Sequence, residues 1–138
     1  MSEQLPEQVD EVFGFQKLEV WRKARELKMA ACLTAKGFPL EEHYMMARQL
    51  IRSARSIAAL VAEGHGRFGW PDQLHFCTQA RGSLAETMNH LIDAHDEQYL
   101  SKEQLQFLLE KGKELEYLMN GYIRYLRSMK NKDSIKSI

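Results

Sequence analysis

The residues that most invite a chemical interpretation lie in GHGRFGW, residues 64–70. Gly64 and Gly69 have the G-x-x-x-x-G separation of a phosphate-binding loop. Such a loop follows a strand and continues with Lys and Ser or Thr, which reach the phosphates and a magnesium ion. Here Trp70 and Pro71 occupy those two positions, and a helical pattern precedes the glycines. The sequence therefore predicts a turn between two helices, in which Gly64 ends the first helix with a left-handed conformation.

The histidines and cysteines do not have the spacing of metal ligands. The five histidines are His43, His65, His75, His90 and His95. No H-x-x-x-H or H-E-x-x-H pair occurs, and no Glu stands three residues before a His, as in di-iron bundles. Cys32 and Cys77 form no C-x-x-C motif. We predict neither a metal nor another cofactor.

A nucleophile beside a base is the remaining catalytic pattern to consider. Ser83 and Glu86 are three residues apart on one helix, but no histidine shares their face. We interpret them as part of a polar seam between helices or subunits, and we predict that the protein is not an enzyme. The polar seam comprises Gln49, Arg52, Ser56, Glu63, Ser83 and Glu86.

Basic residues recur at helical spacing in the second apolar segment. Arg48, Arg52 and Arg55 form one stripe that points toward Arg67, and such a row matches the phosphates of a nucleic acid. The alternative is a solvated face, or pairing with acids of a neighbouring helix or subunit, and we favour it. The candidate nucleic-acid contacts are Arg48, Arg52, Arg55, Arg67, Lys130 and Lys132.

Composition limits the class of protein. Lys and Arg total 19, as do Asp and Glu, so the zero net charge argues against a strongly basic nucleic-acid binder. No apolar run approaches the roughly 20 residues that span a bilayer, and the acidic N-terminus does not resemble a signal peptide. We expect one soluble cytoplasmic domain. We divide it into a flexible acidic segment (residues 1–14), a bundle (15–129) and a flexible basic tail (130–138).

Four amphipathic helices must position these residues. Their predicted starts and ends are 18–36, 41–63, a third helix from Asp72 and a fourth from Ser101, where Ser-Lys-Glu-Gln has capping-box spacing. In the second helix the expected buried stripe begins at Leu40 and Tyr44. Short connections between long helices predict an all-α, antiparallel, up-down-up-down four-helix bundle.

The fourth helix carries more apolar residues than one buried stripe requires. The surplus residues are Phe107, Leu109, Leu118 and Ile123. Exposed apolar surface is typical of an interface, so we predict a homo-oligomer. The seven methionines would also suit an apolar small-molecule pocket, although methionines more often fill a core.

Several motifs resemble one bacterial family. The opening FGFQKLEVWRKARELK is similar to that of the four-helix proteins first noticed as reading frames in intervening sequences of large-subunit ribosomal RNA genes. The Phe38-Pro39 turn and an Ala-x-Gly-Ser-Leu-x-Glu pattern at residues 80–86 match as well. A further match is the helix with Gln49, Leu50, Arg52, Ser56, Ile57, Ala62, Glu63 and Gly64. The chain departs from the family at Ala58 and Leu60, where Pro and Asn are usual.

The resemblance implies an antiparallel bundle that assembles as a ring-like homopentamer with no established enzymatic role. Similar bundles are accessory subunits of diversity-generating retroelements, where the pentamer binds nucleic acid and a reverse transcriptase. Two functions therefore stay open: an oligomeric interaction module whose partner is a protein, and a ring that binds RNA or DNA through the basic residues.

Overall fold

The computed structural model describes residues 7–136, and that part of the chain contains four α-helices and no strand. The helices are α1 (Glu19–Lys36), α2 (Arg48–His65), α3 (Trp70–Asp96) and α4 (Lys102–Lys136). A 3-10 turn, Gly14–Lys17, precedes α1. A 3-10 turn, Leu40–Glu42, and a π-helical turn, His43–Ala47, precede α2. The prediction of an all-α four-helix bundle is confirmed.

Each helix packs against the next, and α4 returns to α1. The pairing is antiparallel throughout. Ser53 of α2 bonds to Thr87 of α3, whereas Gly64, later in α2, approaches Phe76, earlier in α3. None of the helices within residues 7–136 is both long and apolar enough to cross a membrane.

Two buried clusters fill the bundle. The first contains the larger side chains, among them Leu27, Ile57, Leu115 and Leu126. The second is richer in alanine, and it lies where α1 ends and α2 begins. The alanines of this second cluster are Ala31, Ala35, Ala47, Ala54 and Ala94.

The predicted stripe of α2 is correct from Ala47 onward and wrong before it. Leu40 and Tyr44 are 80% and 82% exposed. The physical reason is the π-helical turn His43–Ala47. Because a π-helix bonds i to i+5, it rotates the preceding residues away from the face that an α-helix would give them.

The predicted helix ends at the glycine turn are also wrong. Gly64 is a buried residue inside α2, which ends at His65, and none of the described glycines has a positive φ. The next helix begins at Trp70 with Gly69 as its N-cap, so Asp72 lies in its first turn. The capping box of α4 is confirmed, because Ser101 Oγ accepts from the Gln104 N–H and Gln104 Oε1 accepts from the Ser101 N–H.

The surplus apolar residues of α4 are not the exposed surface that we expected. Ile123 is only 3% exposed, and Phe107, Leu109 and Leu118 pack partly buried against the core. A four-helix bundle buries more than one stripe of its longest helix, because α4 contacts both α3 and α1.

The ends of the chain differ in structure. Residues 7–13 are exposed and have no helix or strand, and residues 1–6 lie outside the described part. The last helix continues to Lys136, beyond residue 129 where we expected the bundle to end, and residues 137–138 lie outside the described part. The flexibility of both ends stays a prediction.

Candidate functional site

The polar seam forms around one carboxylate at the edge of the α2–α3 contact. Arg52 Nη2 lies 2.5 Å from Glu86 Oε2 and 3.1 Å from Gln49 Oε1. His90 Nε2, one turn further along α3, lies 3.1 Å from the same Glu86 oxygen. The hydrogen bond with His90 is the main cause that lowers the pKa of Glu86; the charge of Arg52 lowers it further, while desolvation opposes both. The carboxylate therefore links α2 to α3.

The other predicted seam residues do not join this cluster. Glu63 pairs with Arg67 at 3.3 Å, at the far end of α2. The Ser56 hydroxyl donates to the Arg52 carbonyl at 2.9 Å, a bond within α2. Ser83 contributes its backbone carbonyl oxygen, which lies 2.8 Å from the Thr87 hydroxyl oxygen. The seam is thus Gln49, Arg52 and Glu86, with His90 as a member that the sequence analysis missed.

A second polar contact that was missed is fully buried between the same helices. Thr87 Oγ1 lies 2.9 Å from Ser53 Oγ, and both residues are 0% exposed. Ser53 Oγ in turn donates to the Leu50 carbonyl at 3.1 Å. The signal was present in the sequence, because Ser53 and Thr87 each occur at helical spacing among buried apolar residues.

The basic stripe lies on the outside of α2. Arg48, Arg52 and Arg55 line an open groove together with Tyr44 and Ile51. Arg52 is committed to Glu86, which leaves Arg48 and Arg55 as the arginines at the two ends of the stripe. Tyr44 supplies an aromatic ring beside them, 82% exposed.

The structure separates the candidate nucleic-acid contacts into two groups. Arg48 and Arg67 are nineteen residues apart, which corresponds to about 28 Å along a helix. Lys130 and Lys132 lie in the last part of α4, on the end of the bundle where α2 finishes and Trp70 meets Tyr125. The six residues therefore do not form one row.

The glycine-rich turn is held by its own side chains. The Arg67 guanidinium lies 4.7 Å from the centroid of the Phe76 ring and pairs with Glu63. Gln73 Nε2 donates to the Arg67 carbonyl at 2.8 Å. Phe68 projects from the tip, fully exposed. The prediction that this segment is a turn between helices is confirmed.

A basic cleft lies along the second half of α1, and residues of α2 and α4 also line it. We use this name for the cleft lined by the cations Lys28, Lys36, Arg55 and Lys111, together with Met29, Cys32, Leu33 and Phe107. No Asp or Glu belongs to its lining. Met29 and Leu33 are 40% and 53% exposed, so the cleft joins positive charge to apolar surface.

Two observations on residues 7–136 bear on metal binding and on thiol chemistry. No three His, Cys, Asp or Glu side chains there are placed to hold a metal ion. Burial raises the pKa of the Cys77 thiol to about 12, so that thiol stays protonated near neutral pH.

A family model described as 23S rRNA-intervening sequence protein matches residues 16–121. Among solved structures, one similar chain is a protein with unknown function from the S23 ribosomal protein family of Bacteroides thetaiotaomicron. It is 22% identical with a TM-score of 0.71, over 75% of this chain and 97% of that chain, which shows a shared fold. No curated protein matches. Because the family model covers most of the chain, the protein belongs to the family of 23S rRNA-intervening sequence proteins.

Proposed function

We propose that this protein is a non-enzymatic module that assembles with copies of itself and serves as a scaffold for a protein partner. The proposal rests on where the exposed large hydrophobic residues lie. Of the thirteen exposed large hydrophobic residues in the described part, five lie between residues 29 and 45. These five are Met29, Leu33, Leu40, Tyr44 and Met45. Exposed apolar residues concentrated in this way are typical of an interface.

The charges of the helices support a contact between unlike faces. The sequences of α1 and α2 together contain eight bases and three acids, whereas α3 contains one base and four acids. A contact between the α1–α2 side of one copy and the α3 side of the next would be heterologous, and a heterologous contact closes into a ring when its rotation permits. From the family resemblance we expect this ring to contain five copies.

Native mass spectrometry tests the assembly. We expect the wild-type protein at a multiple of 16.1 kDa. Leu33→Glu with Tyr44→Glu should dissociate it into monomers that keep their helical circular dichroism. The matched control, Phe68→Glu with Tyr117→Glu, changes the charge equally at two exposed aromatic residues outside residues 29–45 and should stay assembled. A wild-type monomer, or an assembly that survives the first pair, contradicts the proposal.

Nucleic-acid binding is the second candidate function, and the groove on α2 favours it. Residues 48–62 contain three arginines and no acid, and Tyr44 stands exposed beside them. Arginines that contact phosphates together with an aromatic ring that stacks on a base are the elements of single-strand binding. Several weak grooves on one oligomer would bind a long nucleic acid more tightly than one alone. In this function the protein is an accessory subunit of an RNA or retroelement system, with a reverse transcriptase as one partner.

A salt series tests that candidate with duplex DNA, single-stranded RNA and an RNA–DNA hybrid. Arg48→Glu with Arg55→Glu should abolish binding, and single Arg→Ala changes should each reduce the slope of log K against log salt by about 1. Lys102→Glu with Lys113→Glu makes the same charge change on α4 and should bind like the wild type. No binding at low salt, or equal loss with both pairs, contradicts phosphate contact at this groove.

A further inference from the structure

We propose that the acidic N-terminal arm of a second copy of this chain docks in the basic cleft. The N-terminal arm is residues 1–13, of which residues 7–13 are described. The inference rests on the proposed function in one respect, since it needs a neighbouring copy. It goes further by naming what fills the cleft and by assigning a role to the arm.

The cleft offers positive charge around an apolar floor. Lys28 and Lys36 of α1 line it together with Arg55 of α2. On the α4 side, the Lys111 ammonium lies 5.2 Å from the centroid of the Phe107 ring, which keeps that cation at the cleft wall. Met29 and Leu33 form the exposed apolar part. A ligand that fits this cleft is an extended segment with both carboxylates and apolar side chains.

The N-terminal arm has that chemistry. It contains four acids and no base. Its described part has no helix or strand, and its apolar side chains are exposed: Val9 by 54%, Val12 by 77% and Phe13 by 64%. Asp10 and Glu11 stand between these apolar residues. An extended segment of this pattern can place apolar groups on Met29 and Leu33 while its carboxylates meet the surrounding cations.

Residues 10–13 of the same copy are held elsewhere. Gln16 Oε1 accepts from the backbone N–H groups of Val12 and Phe13, at 2.9 and 2.8 Å, and Gln16 Nε2 donates to the Asp10 carbonyl. Glu11 Oε1 lies 3.6 Å from Arg22 Nη1, near the start of α1. Leu33 is eleven residues beyond Arg22, about 16 Å along the helix. Residues 10–13 therefore lie beside the first part of α1, whereas their own cleft lies along its second part, which makes a neighbour's cleft the site that fits them.

Cys32 allows a direct test because it lines the cleft and is partly exposed, whereas Cys77 is buried with its pKa raised to about 12. Two differently tagged full-length chains are co-expressed. One carries Val12→Cys with Cys32→Ser, so its arm has a thiol and its cleft has none. The other is the wild type. Since only a bond between copies can join the arm thiol to Cys32, diamide oxidation should give a covalent pair that carries both tags.

Two matched controls define specificity. Tyr117→Cys with Cys32→Ser places the thiol on an exposed position of α4, away from the α3 side, and should give no such pair above background. Lys28→Glu with Lys36→Glu in the chain that supplies Cys32 should reduce the cross-link at least tenfold. Lys102→Glu with Lys113→Glu in that chain should leave it unchanged.

The outcomes separate the two proposals. An assembled oligomer that gives no arm-to-cleft link, or that links equally through Tyr117→Cys, overturns arm docking and leaves the scaffold proposal standing. A link that survives Lys28→Glu with Lys36→Glu overturns the role of charge in the docking. A protein that is monomeric by native mass and gives no link overturns both proposals.

Discussion

The two helices at the centre of the chain, α2 and α3, are joined by paired polar side chains where they meet, but they differ in the sign of their charge where they face solvent. They share the buried hydrogen bond between Ser53 and Thr87, and the Arg52–Glu86 pair closes the edge of the contact. Outside that contact α2 has two further arginines, Arg48 and Arg55, and one acid, Glu63, whereas α3 has one arginine and three further acids.

This difference distinguishes the positions that determine the fold from the positions that select a partner. Positions inside the contact must satisfy packing and hydrogen bonding, so a change there acts on the free energy of unfolding. Positions outside it change stability little, and their charge is free to serve recognition.

The inner and outer faces of α2 should differ most in their response to truncation. Ile57 is 0% exposed, and Ile57→Ala should lower the free energy of unfolding by about 2–5 kcal/mol. Arg55→Ala, two residues away on the outer face, should change it by less than about 0.5 kcal/mol. Urea unfolding followed by circular dichroism measures both. Equal losses would mean that Arg55 belongs to the folded core contact, contrary to the separation.

Two glycines give effects of opposite sign. A Cβ at Gly64 would stand 2.9 Å from Phe76 Cβ and 3.3 Å from the Gln73 carbonyl oxygen, so Gly64→Ala should cost about 1–3 kcal/mol. At Gly82 a Cβ would meet no atom within 4 Å, and Gly82→Ala should add about 0.5–1 kcal/mol through helix propensity. Thermal unfolding should move the two midpoints in opposite directions. A shift of the same sign would contradict the close approach at Gly64.

The sequence predicted the bundle because apolar spacing and helix punctuation act locally. The stripe from Leu50 to Val61 and the capping box at Ser101 were both read correctly from neighbouring residues. The errors arose where the outcome depends on distant contacts. Gly64 was interpreted as a helix end, whereas the approach of Phe76 from α3 is what requires glycine there.

The candidate site was predictable only in part, for the same reason. Arg52 and Glu86, which the sequence analysis grouped in one seam, lie 2.5 Å apart, because each lies on the edge of an amphipathic helix. Helical periodicity predicts the face of the helix on which a residue lies, but not its position along the bundle axis. Glu63 was therefore grouped with residues that lie several turns away. The basic cleft was missed because it combines three helices, and its cations are far apart in the sequence.

The buried hydroxyl pair should contribute about 1 kcal/mol to the contact between α2 and α3. Thr87→Val keeps the side-chain shape and removes the hydroxyl, which lies 2.9 Å from Ser53 Oγ and 2.8 Å from the Ser83 carbonyl. Ser53→Ala, Thr87→Val and the double variant form a double-mutant cycle in urea unfolding. A coupling energy near zero would mean that the Thr87 hydroxyl is satisfied by Ser83 alone.

The edge of the contact should give the smallest effect, and that effect depends on pH. Because the pKa of Glu86 is lowered in the folded protein, folding favours its ionised form. The resulting stability is present above the pKa of the unfolded chain, about 4.3, and is lost as the pH falls through the lower pKa of the folded state. Glu86→Gln cannot ionise, so acidification from about pH 6 to about pH 3 should destabilise the wild type more than this variant. The Glu86 side chain is 37% exposed, and solvent screening should keep the difference below about 1 kcal/mol.

Asp93→Asn removes an exposed carboxyl from the same helix, so it should follow the wild-type pH profile. Urea unfolding at both pH values measures all three proteins. If Glu86→Gln loses as much stability in acid as the wild type, the Arg52–Glu86–His90 cluster contributes nothing to the contact, and the α2–α3 boundary depends on its buried residues alone.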